Sequence, residues 1–272
     1  MNKVIMVVID GLQYNVAATQ MGFINHLVER NEAAFYKVKS ELPSMSRPLY
    51  EVLLTGTPAS VNGITSNDSI RLSTQKSLFH LTKENGLRNA ATAFYWVSEL
   101  YNRTPFDKVE DRQQVNEDKA IQYGTFYFDD FYPDSHLLLD AEVLRRKHDP
   151  HFLYIHTMGV DNAGHIYGSD SKQYRKTAIN MDRYLAELIP IWMKEGYHIV
   201  VTADHGMNTD GEHGGTGSDE RDVPLFMISE RVKPGCYEQV IPQLAITPLI
   251  CKLLQIAPSE AMLDYDFSDM IR

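Results

Sequence analysis

The sequence predicts an α/β fold in which a mainly parallel sheet lies between two layers of helices. Short, nearly continuous apolar runs alternate along the chain with segments of helical periodicity. Continuous apolar runs are typical of strands that helices cover on both faces. Acidic residues also follow several of these runs, and ligands of such folds bind at the carboxyl ends of the strands. The prediction is therefore a three-layer sandwich with its site at one edge of the sheet.

Five apolar runs are predicted to be strands: Val4–Ile9, Ala91–Val97, Phe152–His156, Ile199–Ala203 and Pro224–Ile228. The clearest helix spans Ser171–Lys194, because its apolar residues recur at steps of three and four and Gly196 follows it. A second helix contains Leu53 and Leu54, and it is predicted to end near Gly56.

Composition limits the range of possible functions. The chain has 272 residues and a formal net charge of −10. The negative charge argues against a general nucleic-acid or anionic-membrane surface, since both need a basic face. No run is long enough to span a membrane. Val4–Ile9 is too short for a signal peptide, so a cytoplasmic location is the default expectation. Cys236 and Cys251 follow no metal or redox spacing and are expected to be free thiols.

One catalytic domain is expected over residues 1–272, with a small lid or cap inserted at residues 68–149. That segment is the irregular part of the chain. Its Phe126–Tyr132 stretch mixes aromatic and acidic side chains, which fits a lid over the site or a packed surface excursion equally well.

Several residues are candidate metal ligands. Asp204 and His205 end a probable buried strand, where two polar side chains need partners. Asp161 and His165 are four residues apart, which places them on one face if this segment is helical. Carboxylates and imidazoles together are typical ligands of divalent metal ions. The full set is Asp10, Asp161, His165, Asp204, His205 and His213. Considered alone, Asp10 could equally cap a helix, and His156 is interpreted as a core residue or a support for the site.

Ser46 is the candidate nucleophile. It precedes the helix that contains Leu53 and Leu54. A helix N-terminus offers free N–H groups and a partial positive charge to an anion. Coordination of the Ser46 hydroxyl to a divalent ion would favour its deprotonated alkoxide form. Without the metal ligands, the ordinary interpretation of this serine would be a helix N-cap.

These motifs, in this order, resemble the alkaline phosphatase superfamily and, within it, the type I phosphodiesterase/nucleotide pyrophosphatase branch. The resemblance covers most of the chain. Its motifs are residues 9–11, 43–56, 62–67, 160–165, 203–207, 213–214, 222–226 and 246–256.

The resemblance implies an alkaline phosphatase-like fold and two divalent metal ions. Asp161, His165 and His213 would hold one ion. The second ion would be held by Asp10, Ser46, Asp204 and His205. Zinc is the usual ion of this branch, and manganese occupies a related set in the mutases of the superfamily. Asn67 matches a position that donates a hydrogen bond to a phosphoryl oxygen, although it also fits a turn residue before Asp68.

The implied reaction is phosphoryl transfer to water through a Ser46 phosphoenzyme, with a small phosphate ester or phosphonate as substrate. Arg47 departs from the branch, whose nucleotide-cleaving members commonly have an aromatic residue there. An arginine beside the nucleophile could bind a second substrate charge, or it could form a salt bridge away from the site.

Three alternatives were considered. A cofactor-independent phosphosugar mutase normally carries a larger inserted domain than this chain allows. A degenerate metal-binding module is less consistent with a complete set of ligand positions. A sulfatase needs Ser-Arg two residues beyond the proline, where Leu49 and Tyr50 follow Pro48 here.

Overall fold

The computed structural model describes residues 2–272, and within them nine strands form one sheet. The strands are β1 (Lys3–Ile9), β2 (Ala33–Lys39), β3 (Asn89–Phe94), β4 (Gln113–Val115), β5 (Tyr123–Tyr127), β6 (Phe152–Thr157), β7 (Tyr197–Thr202), β8 (Asp222–Ile228) and β9 (Gly235–Pro242). Their order across the sheet is β4-β5-β3-β6-β1-β7-β8-β2-β9.

Helices connect these strands. They are α1 (Tyr14–Gln20), α2 (Gly22–Glu29), α3 (Ser46–Thr55), α4 (Ala59–Asn62), α5 (Leu78–Glu84), α6 (Tyr95–Tyr101), α7 (Asp134–His148), α8 (Gly159–Tyr167), α9 (Lys172–Lys194), α10 (Ser218–Arg221) and α11 (Ile246–Leu254), with a 3₁₀ turn at Gln243–Ala245. Helices α7, α9 and α11 pack against strands of the sheet. The central strands β1 and β6 are buried almost along their whole length, so helices and loops cover both faces. The predicted α/β class is confirmed.

The centre of the sheet is parallel. Strand β1 pairs in parallel with β6 on one side and with β7 on the other. Strand β8 is antiparallel to both β7 and β2, so β2 runs in the same direction as β7. The carboxyl ends of β1, β2, β6 and β7 therefore lie at the same edge of the sheet.

Helix α3 follows β2 after a short loop and ends as predicted at Gly56, whose φ of +66° closes it in the left-handed conformation. The predicted strand Ala91–Val97 is wrong at its end, because β3 stops at Phe94 and Tyr95 begins helix α6. An apolar run has the same appearance in a buried strand and in a buried helical turn, so periodicity did not separate the two.

Residues 68–149, where a lid was expected, supply β3, β4 and β5 to the common sheet. Phe79 and Phe126 of this segment belong to the same hydrophobic core as β1. A cap formed by these residues would therefore have to come from the loops between the strands and helices. Within residues 2–272, no helix is both long and apolar enough to cross a bilayer.

Candidate metal and phosphoryl-transfer site

Three neighbouring strands each deliver one carboxylate to the same edge of the sheet. Asp10 directly follows β1, and Asp204 follows β7 after one residue. Asp161 lies in the first turn of α8, just beyond β6. All three residues are almost fully buried. Carboxylates gathered in this way repel one another unless cations or protons compensate their charge.

The first cluster of possible ligands contains Asp161, His165 and His213. His165 Nε2 lies 3.3 Å from Asp161 Oδ2, because residues four apart in α8 share one face. His213 comes from the loop between β7 and β8, and its Nε2 lies 3.8 Å from Asp161 Oδ1. The ligand atoms all lie within 4.8 Å of one another, which suits a single ion.

The second cluster contains Asp10, Asp204 and His205. His205 Nε2 is 3.2 Å from Asp10 Oδ1 and 3.4 Å from Asp204 Oδ2. Ser46 Oγ lies 3.1 Å from the same imidazole nitrogen. The structure thus brings all seven residues proposed as metal ligands to one edge of the sheet, in two groups.

Hydrogen bonds to backbone carbonyls set the orientation of the three histidine rings and show which ring nitrogen carries a hydrogen. Nδ1 of His205 faces the carbonyl of Gly206 at 2.8 Å, that of His165 faces Gly211 at 2.7 Å, and that of His213 faces Ser44 at 3.0 Å. A carbonyl oxygen only accepts, so each Nδ1 carries a hydrogen and each Nε2 faces the carboxylates, where a neutral ring offers its lone pair to a cation. Metal-binding histidines are commonly oriented in this way.

Three carboxylate oxygens of the clusters remain without a donor. Among residues 2–272, no group donates a hydrogen bond to Asp10 Oδ1, Asp161 Oδ1 or Asp204 Oδ2, although all three atoms are buried. Buried polar atoms normally have partners. Lone pairs of imidazoles and carboxylates that face each other need a cation between them, so the residues fit two divalent ions with nitrogen and oxygen ligands.

The pKa values express the same crowding of charge. Burial and the neighbouring Asp10 raise the pKa values of Asp204 and Asp161. The hydrogen bond with Asp161 raises the pKa of His165 to about 9, whereas burial lowers the pKa of His205. Bound cations would stabilise the ionised carboxylates and would take the place of the proton between Asp161 and His165.

Asp10 is held by Tyr50, which the sequence did not indicate as a site residue, and by His156, which was interpreted as a core residue or a support for the site. Its Oδ2 accepts hydrogen bonds from the Tyr50 hydroxyl at 2.6 Å and from His156 Nε2 at 3.1 Å. The other ring nitrogen of His156 lies 3.2 Å from the Tyr127 hydroxyl. Burial alone would raise the pKa of Asp10, but His156 and His205 outweigh it and lower that pKa. Tyr50 lies four residues after Ser46, a spacing that could have indicated its position on the same face of α3.

Gly11 allows β1 to approach α8 closely. Its N–H donates to Asp204 Oδ1 at 3.3 Å, and its φ is +70°. A Cβ at this position would lie 2.7 Å from the Cα of Asp161. A side chain here would therefore press one metal cluster away from the other.

Ser46 is the first residue of α3, and its N–H is the one in the first turn that has no acceptor among residues 2–272, since residue 48 is a proline and the Leu49 N–H donates to the Met45 carbonyl. The N–H of the next residue, Arg47, donates to Asn67 Oδ1 at 3.0 Å. In the described part of the chain, the Nδ2 group of Asn67 has no acceptor. An oriented amide donor therefore lies beside Ser46 at the start of α3.

Arg47 was a candidate substrate contact, but its guanidinium lies elsewhere. Nη2 forms a 2.8 Å ion pair with Glu99 Oε2, and both residues are buried. The guanidinium also lies 4.5 Å from the ring centre of Trp96 on α6. Of the two interpretations of Arg47, the salt bridge is the one the contacts favour, and it is an internal salt bridge instead of a surface one.

The sheet order, the paired Asp/His clusters and the serine at a helix N-terminus define a class, the α/β proteins of the alkaline phosphatase superfamily. Residues 4–214 match the model of the type I phosphodiesterase / nucleotide pyrophosphatase family. The chain belongs to this family.

Solved structures agree on the fold. Murine ectonucleotide pyrophosphatase / phosphodiesterase 5, an inactive form in complex with AMP, superposes with a TM-score of 0.79 at 12% identity, covering 100% of both chains. The alkaline phosphatase PafA gives a TM-score of 0.71 at 12% identity, covering 99% of this chain and 98% of its own. The phosphonate monoester hydrolase of Silicibacter pomeroyi gives 0.64 at 12% identity, covering 96% and 74%.

Curated relatives include enzymes named as transferases. GPI ethanolamine phosphate transferase 2 of Candida albicans is 25% identical over 93% of this chain and 30% of its own length. The catalytic subunit of human GPI ethanolamine phosphate transferase 2 is 25% identical over 86% of this chain and 24% of its own length. The chain therefore spans about a quarter to a third of the length of these relatives.

Proposed function

We propose that the protein is a two-metal phosphoryl-transfer hydrolase that cleaves a small phosphate ester or phosphonate through a Ser46 phosphoenzyme. One observation carries the proposal: the Ser46 hydroxyl lies 3.1 Å from His205 Nε2, beside the buried carboxylates of Asp10 and Asp204, each of which has one oxygen without a hydrogen-bond donor among residues 2–272. Asp10, Asp204, His205 and the Ser46 oxygen would hold one ion, and Asp161, His165 and His213 the other.

Two such ions, when bound, would lower the pKa of the serine hydroxyl and neutralise charge on the transferred group. Zinc suits the nitrogen and oxygen ligands, and manganese is the alternative. The residues of the chain perform the remaining tasks. The Ser46 N–H at the start of α3 and the Asn67 amide bind phosphoryl oxygens, while Tyr50 and His156 keep Asp10 oriented.

The chemical step balances as two displacements. Ser46 Oγ forms a bond to phosphorus while the bond from phosphorus to the leaving atom breaks, and that atom takes up the proton that Ser46 releases; the leaving atom is the ester oxygen of a phosphate ester or the carbon of phosphonoacetate. Water then attacks the phosphoserine: its hydroxyl bonds to phosphorus, the bond from phosphorus to Ser46 Oγ breaks, and Ser46 Oγ takes up the remaining proton of the water. Dividing the reaction in this way replaces one difficult step by two easier ones.

The contacts of Arg47 favour a diester over a monoester. A phosphomonoester carries a second negative charge that a free arginine could bind. Here the guanidinium is paired with Glu99. A substrate with one phosphoryl charge therefore suits the site better. A cytoplasmic location stays a prediction.

A second candidate function is transfer of a phosphoryl group to an alcohol instead of to water. The observation in its favour is the naming of the curated relatives as ethanolamine phosphate transferases. The same Ser46 intermediate would serve both reactions, and the acceptor that reaches it would decide between them.

The test measures how fast the zinc-loaded protein turns over three substrates: an aryl phosphate diester, an aryl phosphate monoester and phosphonoacetate. Ser46→Ala should abolish turnover, whereas Ser60→Ala, an exposed serine on α4, should retain it. Rapid quenching followed by mass spectrometry should find the phosphoryl group on the peptide containing Ser46. Wild-type turnover by Ser46→Ala would refute the proposal.

The choice of acceptor is measured in the same reaction. An acceptor alcohol is added, and the phosphorylated alcohol is compared with the hydrolysis product. Accumulation of phosphorylated alcohol at millimolar acceptor would favour the transferase. Release of the hydrolysis product alone would favour the hydrolase.

A further inference from the structure

We propose that Arg47 and Glu99 form a positioning pair, which holds Asn67 and the start of α3 so that the Asn67 amide and the Ser46 hydroxyl address the same phosphoryl group. This inference rests on the proposed function. It assigns a role to a buried charge that neither the metal clusters nor the substrate uses.

The first support is that Arg47 holds the Asn67 loop at two points. Its backbone N–H donates to Asn67 Oδ1 at 3.0 Å, and its Nη1 donates to the Ser69 carbonyl at 3.3 Å. The loop itself is a turn, since the Ser69 N–H donates to the Ser66 carbonyl at 3.2 Å. One residue thus fixes both the side chain of Asn67 and the backbone two residues later.

The second support is that Glu99 fixes Arg47 in turn. Glu99 Oε2 accepts from Arg47 Nη2 at 2.8 Å, and its Oε1 accepts from the Phe106 N–H at 2.9 Å. Trp96 covers the guanidinium from one side. The pair therefore joins α3 to α6 and to the loop that follows α6.

The third support is the burial of these charges. Arg47 is 1% exposed and Glu99 is 3% exposed. Arg47 Nε is also buried, without an acceptor among residues 2–272. A buried ion pair is a poor source of net stability compared with well-packed apolar residues, but it can specify one geometry. The geometry specified here is that of Asn67 relative to Ser46.

The test removes both charges together, because a single removal would leave the partner charge buried and could unfold the protein. The variant carries Arg47→Met and Glu99→Leu, and it is combined with Asn67→Ala in a double-mutant cycle on an aryl phosphodiester. The matched control carries Arg145→Met and Glu142→Leu, which removes another buried pair at 2.7 Å on α7, away from the site.

If the pair acts through Asn67, removing it should lower kcat about 10-fold when Asn67 is present and less than about 3-fold in the Asn67→Ala background. KM should change less than kcat. The zinc affinity of the cluster Asp161, His165 and His213 should stay unchanged, because the contacts of Arg47 and Glu99 go to other residues. The control on α7 should leave kcat within about 2-fold in both backgrounds.

A spectroscopic measurement separates positioning from general destabilisation. The side-chain amide resonances of Asn67, identified by their loss in Asn67→Ala, should shift or broaden when the Arg47 pair is removed and should stay unchanged in the α7 control. Equal losses of kcat in both backgrounds, or unchanged Asn67 resonances, would overturn the inference. Activity retained by Ser46→Ala would instead refute the proposed function, so the two failures are distinguishable.

Discussion

Replacing Gly11 by alanine should damage the site more than the fold. The φ of Gly11 is +70°, and a Cβ there would lie 2.7 Å from Asp161 Cα and 2.9 Å from Asp161 Cβ. Since one of the clashing atoms is backbone, a rotamer change of Asp161 cannot relieve the contact. The start of α8 must move instead, and Asp161 and His165 would move with it.

The magnitude follows from two contributions. A residue with a Cβ in the left-handed conformation costs roughly 1–2 kcal/mol relative to glycine. Forcing an extra carbon into a well-packed region costs about 1–3 kcal/mol more. Gly11→Ala should therefore lower the free energy of unfolding by about 2–5 kcal/mol. It should also lower the affinity for the ion at Asp161 and His165 by about 10–100-fold, as other disturbances of ligand orientation do.

Gly86 provides the matched control. Its φ is +68°, but a Cβ there would meet nothing within 4 Å. Gly86→Ala should therefore show only the backbone cost of roughly 1–2 kcal/mol and no change in metal affinity. Both variants are measured by urea unfolding and by calorimetric titration of the chelator-treated protein with zinc. If the two variants lose the same stability and Gly11→Ala keeps wild-type affinity, the reasoning is refuted.

Three further outcomes are expected. Tyr50→Phe removes a donor to Asp10 Oδ2. It should lower the affinity for the ion at Asp10 by about 10–100-fold and leave the affinity for the other ion unchanged, as measured by competitive chelation; an equal loss of both affinities would contradict it. Burial alone would raise the pKa of Glu142, but hydrogen bonds from two arginines and Trp192 lower it from 4.5 to about 2. The resulting stabilisation, on the order of 3 kcal/mol, should be complete above about pH 4.5 and lost towards pH 2. The difference in unfolding free energy between wild type and Glu142→Gln, from urea titrations, should therefore shrink as pH falls; a constant difference would count against it. Adding zinc to chelator-treated protein should raise the thermal unfolding midpoint in scanning fluorimetry, because ions at 1,000 times their Kd add about 4 kcal/mol; no shift with zinc or manganese would argue against the metal clusters.

The sequence predicted the centre of the fold better than its edges. Strands buried on both faces, such as β1 and β6, are continuous apolar runs, and both were predicted almost to their observed ends. Strand β9 was missed because it is mostly exposed at the edge of the sheet, and its sequence shows neither an apolar run nor alternation. Strand β4 is only three residues long, too short for a periodic pattern.

Asp10, Asp204 and His205 could be named as candidate ligands because they follow apolar runs predicted to be strands, whereas their grouping with Ser46, His165 and His213 into two metal sites came from the resemblance. The supporting residues were harder to predict, because hydroxyls and imidazoles in apolar segments resemble core residues: Tyr50 was missed, and His156 was left open between a core residue and a support for the site. His156 lies within β6, and only the register of β6 against β1, which pairs it with Val8, places its ring near Asp10. The sequence also left undecided where the Arg47 side chain points, since this depends on its partner Glu99, which is distant in sequence.

The two tryptophans of the chain lie in two different environments, and this gives the protein two natural optical reporters. Trp96 lies over the Arg47 guanidinium beside the site, while Trp192 is fully buried and donates to Glu142. Their intrinsic fluorescence should therefore respond to different events. In a Trp192→Phe variant, the remaining emission of Trp96 would report opening of the contact between α3 and α6. In a Trp96→Phe variant, the remaining emission of Trp192 would report unfolding of the core.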